Sequence, residues 1–140
     1  MKRKAKREML SRQGRITEWR ATVFPHTYSS AETGVRPSTP YLELIGSFSE
    51  SVKDVTRFRL SVAVGPTLVE RGEVPSVGFI HKAKPEIEGI LTLSSDEFSA
   101  LLTLATSGTP IMLDCMFQMP RYGSAFIQNA EFTGVGSAST

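Results

Sequence analysis

The sequence predicts a mainly β domain: an antiparallel β-sandwich or a partly open barrel of about seven strands, with one helix before the last two strands. Two observations predict this fold class. Apolar and polar residues alternate with period two in several short segments separated by turn residues. One segment, at about 95–107, follows the helical period instead. Many short strands around a single helix are typical of sandwiches and barrels.

The first three strands are expected at about 16–24, at 41–48 and around 57–64. The third has the clearest alternation, because Phe58 and Leu60 face one way while Arg57 and Arg59 face the other. A segment rich in Ser, Thr, Gly and Pro at 26–40 separates the first two strands. A loop of about fifteen residues is longer than a compact domain usually carries, so it is expected to be functional or mobile.

Two further strand pairs follow. Residues 77–83 and 87–93 form one pair, and residues 111–119 and 125–133 form the last. The turn that joins the last pair, at 120–124, presents Arg121 and Tyr122 beside a glycine that can adopt a positive φ. Arginine and tyrosine are enriched at binding hot spots, so this tip is a candidate contact point.

The helix between these two pairs has signals at both ends. Ser94 and Glu97 form a capping box, and Gly108 with Pro110 ends the helix. Its apolar residues have the spacing of one buried stripe, expected to pack across an open end or face of the sheets: Phe98, Leu101, Leu102 and Ala105. A five-strand OB-like barrel, with its helix after the third strand, is the competing architecture. Here about five strands precede the helix, which favours the sandwich.

Charge is distributed unevenly along the chain. Residues 1–20 carry eight basic and two acidic side chains, a net charge of +6, whereas the other 120 residues carry eight basic and twelve acidic ones, a net charge of −4. We therefore expect a basic flexible N-terminal arm at 1–14, a single β-rich domain at 15–133 and a disordered C-terminal tail at 134–140. A cationic arm can bind polyanions or an acidic protein surface.

Several functional classes are disfavoured by composition. No segment approaches the roughly 20 apolar residues that cross a bilayer, and no apolar segment follows the basic N-terminus as in a signal peptide. The one cysteine, Cys115, cannot form an internal disulfide, which fits a reducing compartment. A cytoplasmic protein that does not bind membranes is expected.

No catalytic, metal-binding or cofactor-binding residue is predicted. His26, His81 and Cys115 are too far apart in sequence to form a recognisable zinc motif. No nucleophile elbow or phosphate-binding glycine loop is present. Glu86 and Glu88 alternate on one strand, which is more typical of a solvated strand face than of an acid–base pair.

The sequence therefore predicts a non-enzymatic binding or accessory module that acts inside a larger protein or nucleoprotein assembly. The partner is expected to be another protein or a second copy of the chain. The alternative is a nucleic-acid-binding protein that uses the basic arm and a basic and aromatic sheet face. The candidate binding residues for either partner are Lys2, Arg3, Lys4, Lys6, Arg7, Arg12, Arg57, Arg59, Arg121 and Tyr122.

Overall fold

The structure is a computed structural model that describes residues 8–23, 41–65 and 76–136. The predicted loop at 26–40, residues 1–7 of the predicted arm and residues 137–140 of the predicted tail lie outside these ranges. The elements are β1 (Met9–Thr22), β2 (Tyr41–Val52), β3 (Val55–Val64), β4 (Gly78–Lys82), β5 (Ile87–Leu93), α1 (Ser95–Thr106), β6 (Ile111–Gln118) and β7 (Ala125–Gly134). The prediction of a mainly β domain with one helix before the last two strands is confirmed.

The seven strands form a closed barrel in the order β1-β2-β3-β5-β4-β7-β6, with β6 paired back to β1. Of the two architectures that the sequence left open, the barrel is therefore the observed one, and it is closed rather than partly open. Its neighbouring strands are antiparallel except for β3 and β5, which are parallel. Neither the favoured sandwich nor the five-strand OB-like alternative describes this arrangement.

Strand β1 closes the barrel because it is long and irregular. Its first half pairs with β6 from Met9 to Ile16, and from Gly14 onward it pairs with β2. The register with β2 shifts between Ile16 and Glu18. A β-bulge of this kind bends and twists a strand, which lets one strand serve two neighbours that diverge from each other.

Residues 9–14 correct the predicted domain boundaries. They belong to β1, and Leu10 is buried in the core, so this part of the chain is not a flexible arm. The many charges near the N-terminus hide the alternation of inward residues that begins at Leu10 and continues through Gly14. At the other end, Gly134 belongs to β7, and the backbone N–H of Val135 donates to Pro110 O at 2.8 Å.

The barrel interior is filled by side chains from every strand, with Phe58 fully buried at its centre. The Phe58 ring lies 4.6 Å from the Phe48 ring, centroid to centroid. Gly14 and Gly46 make room for it, because a Cβ on either would lie within 2.8 Å of the Phe58 ring atoms. Two glycines on adjacent strands thus accommodate one large aromatic side chain.

Helix α1 follows the sequence prediction closely. Ser94 and Glu97 form the capping box, Gly108 has a φ of +77°, and three of the four stripe residues are buried while Leu102 is half-buried. The helix connects β5 to β6, which are not neighbours in the barrel, so it crosses over the barrel end at which β3 and β5 finish. We call this end the helix end.

The opposite end of the barrel, which we call the turn end, holds the start of β1 and three connections between paired strands. These connections are the β2–β3 turn at 53–54, the β4–β5 connection at 83–86 and the β6–β7 connection at 119–124. The strand directions require this grouping, because β1, β3, β5 and β7 all begin at the same end.

Candidate functional site

The β6–β7 connection is a tight hairpin that presents Tyr122 to solvent. Arg121 N–H donates to Ser124 O at 2.9 Å, and Ser124 N–H donates to Arg121 O at 3.1 Å. Tyr122 and Gly123 have φ values of +55° and +76°, as a type I′ turn requires. The Tyr122 side chain is 100% exposed. The predicted contact tip is thus a fixed turn with an uncovered aromatic side chain.

The β2–β3 turn is also a tight turn with positive φ values, and it contacts the β6–β7 hairpin. Lys53 and Asp54 both have positive φ values, +49° and +69°. Lys53 Nζ donates a hydrogen bond of 2.6 Å to the carbonyl oxygen of Pro120, which immediately precedes Arg121. This contact holds an ammonium group beside the base of the β6–β7 hairpin.

The end of β4 and Glu8 both contact the β6–β7 connection. A Cβ on Gly123 would lie 3.9 Å from His81 O and from Lys82 Cα, so the hairpin lies against the end of β4. The backbone N–H of Met119 donates to Glu8 O at 2.7 Å. Glu8 therefore lies at the turn end, and the seven residues that precede it in sequence carry five basic side chains and no acidic one.

The described part of the turn end contains both basic and acidic side chains, and two of its carboxylates, those of Glu86 and Glu88, form ion pairs. Glu88 lies 3.4 Å from Lys82 Nζ, and Glu86 lies 3.2 Å from Arg59 Nε. Lys84 and Arg121 are exposed and form no ion pair with any described residue. Arg121 follows Met119 by two residues and Lys53 donates to Pro120 between them, so both lie near the point at which Glu8 contacts the barrel.

The predicted arginines of β3 differ in their surroundings. Arg59 bridges two carboxylates, because Nη1 lies 3.2 Å from Glu43 Oε1 and Nε lies 3.2 Å from Glu86 Oε1. Arg57 is exposed on the same outer face and forms no ion pair with any described residue. The predicted basic and aromatic sheet face stays a prediction.

Arg12 is held by contacts with β2. Its Nε and Nη2 each donate to Ser51 O at 3.2 Å, and Nη1 lies 3.6 Å from Glu50 Oε2. The guanidinium thus ties β1 to the end of β2. The other predicted residues of the arm, Lys2, Arg3, Lys4, Lys6 and Arg7, lie outside the described ranges.

The structure adds an exposed aromatic pair that the sequence pattern did not reveal. Phe79 of β4 lies directly opposite Phe126 of β7, and the two side chains are 41% and 43% exposed. Ile90 of β5 is the other cross-strand neighbour of Phe79. The His81 ring lies 6.4 Å from the Phe79 ring, edge to face. Phe79, Phe126 and Ile90, which we call the aromatic wall, form one row across three adjacent strands.

The signal for this wall was present in the sequence but divided between distant segments. Ala125 and Ile127 fill the barrel interior, which places Phe126 on the outer face by strict alternation. Ile80 places Phe79 on the outer face in the same way. That β4 and β7 are neighbours follows only from the topology, so neither phenylalanine stands out alone.

A recess of about 380 Å³ lies on the other side of the molecule, between the β1 bulge and the end of α1. Trp19, 40% exposed, forms part of its wall together with Arg15 and Glu18. Cys115 is elsewhere, inside the barrel, where burial raises its pKa to about 12 and keeps the thiol protonated. Within the described ranges, no group of three or more His, Cys, Asp or Glu side chains is arranged to hold a metal ion.

Comparison with protein-family models, with curated proteins and with solved structures found no match to this chain. Among the described residues, no helix has the length and apolar character needed to cross a membrane. Function is therefore inferred from the geometry of the turn end and of the aromatic wall.

Proposed function

We propose that this protein is a non-enzymatic binding module whose turn end, together with the basic segment at 1–7, binds nucleic-acid phosphates inside a nucleoprotein assembly. The observation that carries the proposal is the hydrogen bond between Met119 N–H and Glu8 O. It places Glu8, which directly follows the basic segment in sequence, against Met119, two residues before Arg121.

Electrostatics supports a polyanionic ligand. Contacts between cationic side chains and phosphates release counterions, and this release supplies most of non-specific nucleic-acid affinity. The basic segment alone has five such side chains, and Lys84 and Arg121 of the turn end add two exposed cations. The rest of the chain has a net negative charge, so a nucleic acid would be directed to this end of the molecule.

The test is binding to a fluorescent oligonucleotide at several salt concentrations. Deletion of residues 2–7 and the double variant Lys84→Ala/Arg121→Ala should each weaken binding. Each should also make the slope of log K against log salt shallower, by about 0.7–0.9 for every phosphate that the variant no longer neutralises. Arg20→Ala is the matched control, because Arg20 is an exposed arginine towards the helix end of β1. It should leave both the affinity and the slope almost unchanged.

Salt-independent binding, or equal losses in the Arg20→Ala control, would contradict a phosphate site at the turn end. If the full chain does not bind nucleic acid at 50 mM salt, the proposal is wrong and the basic segment serves an acidic protein surface instead. Binding of a protein partner that is abolished by the deletion of residues 2–7 would then identify that surface.

A second copy of the chain is favoured as a partner by one feature of β1. Beyond Ile16, β1 continues for six residues past its pairing with β6, and its described neighbour there is β2 alone. A strand edge without a partner can pair with another strand. Light scattering tests this pairing: a dimer should have twice the mass of the monomer, and a monomer at every concentration would contradict it.

A further inference from the structure

We infer that the nucleic acid bound at this interface is single-stranded, and that its bases stack on the aromatic wall while its phosphates reach the turn end. This inference rests on the proposed function and specifies the class of ligand. Base stacking on exposed aromatic rings needs unpaired bases, because the faces of paired bases are covered by their neighbours in a duplex. Stacking platforms of this kind are characteristic of proteins that bind single strands.

The aromatic wall has the dimensions of such a platform. Phe79 and Phe126 are directly opposite on adjacent antiparallel strands, so their Cβ atoms are about 5 Å apart. Each side chain leaves about two fifths of its surface in solvent. The two rings, with Ile90 beside them, therefore offer adjacent apolar surface for the faces of one or two bases.

These side chains are not needed to fill the barrel. The interior below them is already occupied by Ile80, Ala125 and Ile127, all almost completely buried. Single exposed apolar residues are ordinary on protein surfaces, whereas neighbouring ones can form a binding patch. We therefore assign this row to a ligand with flat apolar faces.

The groups around the wall fit bases rather than another apolar surface. Gln118 lies beside Phe126 and accepts a hydrogen bond from its backbone N–H through Oε1 at 3.1 Å. Gln128 and Asn129 follow on β7 and are exposed. Their amides can both donate to and accept from base edges. The nearest carboxylate along β5, Glu88, is already paired with Lys82.

The aromatic wall lies within a few residues of the cations of the turn end. Lys84 follows Phe79 by five residues on one side, and Arg121 precedes Phe126 by five residues on the other. Even a fully extended chain, at about 3.3 Å per residue, would place these two cations no more than roughly 17 Å from the rings. A few nucleotides of a single strand would span that distance, with bases on the wall and phosphates on Lys84 and Arg121.

The decisive experiment compares a labelled 20-nucleotide oligothymidine with a 20-base-pair duplex, at one salt concentration, on the full chain and on three double variants. Phe79→Ala/Phe126→Ala should weaken binding of the single strand. Stacking contributes about 1–3 kcal/mol per base, which corresponds to about 5- to 150-fold for each ring removed. Phe79→Leu/Phe126→Leu, which keeps the apolar surface, should weaken binding by a similar factor. Phe79→Tyr/Phe126→Tyr, which keeps the aromatic rings, should bind the single strand about as tightly as the full chain does.

Two controls separate this inference from the proposed function. Trp19→Ala removes an aromatic side chain of equal exposure from the opposite side of the molecule and should leave the affinity unchanged. The salt slope should be the same in the leucine variant as in the full chain, because the cations that bind phosphates remain. Thermal melts of the leucine and tyrosine variants confirm that any loss of affinity is not caused by unfolding.

The inference is overturned if the leucine variant binds the single strand as tightly as the full chain, or if duplex and single strand bind equally well. In both cases the weaker binding of Lys84→Ala/Arg121→Ala would still support a phosphate site at the turn end. If the leucine variant instead loses binding to a protein while retaining the oligonucleotide, the wall is a protein-docking surface and the inference is wrong.

Discussion

Replacing Phe58 by alanine tests how the interior of this barrel is packed. Phe58 is fully buried, and its ring contacts the Phe48 ring at a centroid distance of 4.6 Å. A buried phenylalanine-to-alanine change typically costs about 3–5 kcal/mol, with the larger values at sites that cannot collapse. Here the positions facing the ring are Gly14 and Gly46, which have no side chain to move into the cavity. We therefore expect a loss of about 4–5 kcal/mol.

Urea denaturation followed by circular dichroism measures this loss. With an m value of about 1.5–2 kcal/mol/M, the midpoint should fall by roughly 2–3 M while the slope is unchanged. Phe126→Ala makes the same chemical change at a half-exposed position, and it should cost about 1 kcal/mol or less. If Phe58→Ala is too unstable to fold, Phe58→Leu should fold with a smaller loss. Equal costs for Phe58→Ala and Phe126→Ala would refute this view of the packing.

Four further predictions concern the described residues. Phe98→Ala should destabilise the protein by about 3–5 kcal/mol, and Leu102→Ala by less because Leu102 is only half-buried, both measured in thermal melts. Ser94→Ala should cost about 1 kcal/mol. Hydrogen bonds from the Ser94 backbone N–H and then from its side chain lower the pKa of Glu97, so this contribution is present above the ordinary pKa and is lost as the pH falls through the lowered value; Glu97→Ala should therefore show a smaller penalty in urea titrations at pH 3 than at pH 7. The Cys115 thiol should not react with a disulfide reagent at pH 8 until urea unfolds the barrel, because burial raises its pKa to about 12. Rapid reaction of the native protein would contradict the buried position of Cys115. EDTA should leave the melting temperature unchanged, and a large decrease would reveal a structural metal.

Deletion experiments must respect the boundary that the structure gives to β1. A deletion of residues 2–12 would remove Leu10 from the core and Arg12 from its contacts with β2. The barrel would lose the part of β1 that pairs with the end of β6. Deletion of residues 2–7 removes the same basic cluster except Arg12 and leaves β1 complete, so it separates charge from folding.

Local signals were sufficient to predict helix α1 and most strands. The capping box at Ser94 and Glu97, the stripe that begins at Phe98 and the stop at Gly108 all involve residues close in sequence. The start of β1 was not predicted, because its inward residues include an arginine and a glycine as well as Leu10. Gly14 suits its position only because Phe58, 44 residues later, occupies the space beside it.

The proposed binding surface was harder to predict for the same reason. Arg59 was a reasonable candidate cation, and only the fold shows that Glu43 and Glu86 are both within 3.2 Å of it. Phe79 and Phe126 are 47 residues apart and become neighbours through the pairing of β4 with β7. The sequence could identify Arg121 and Tyr122 because a tight turn is a local feature, whereas the aromatic wall depends on long-range strand order.

The most direct test of the proposed interface is an NMR titration of the ¹⁵N-labelled protein with a short oligothymidine. We predict that backbone amide shifts concentrate on the aromatic wall and the turn end, at Phe79, Lys82, Lys84, Tyr122 and Phe126. Amides of the β1–β2 face and of the recess beside Trp19 should remain unchanged. Shifts confined to those latter surfaces, or no shifts at millimolar oligonucleotide, would contradict the proposal.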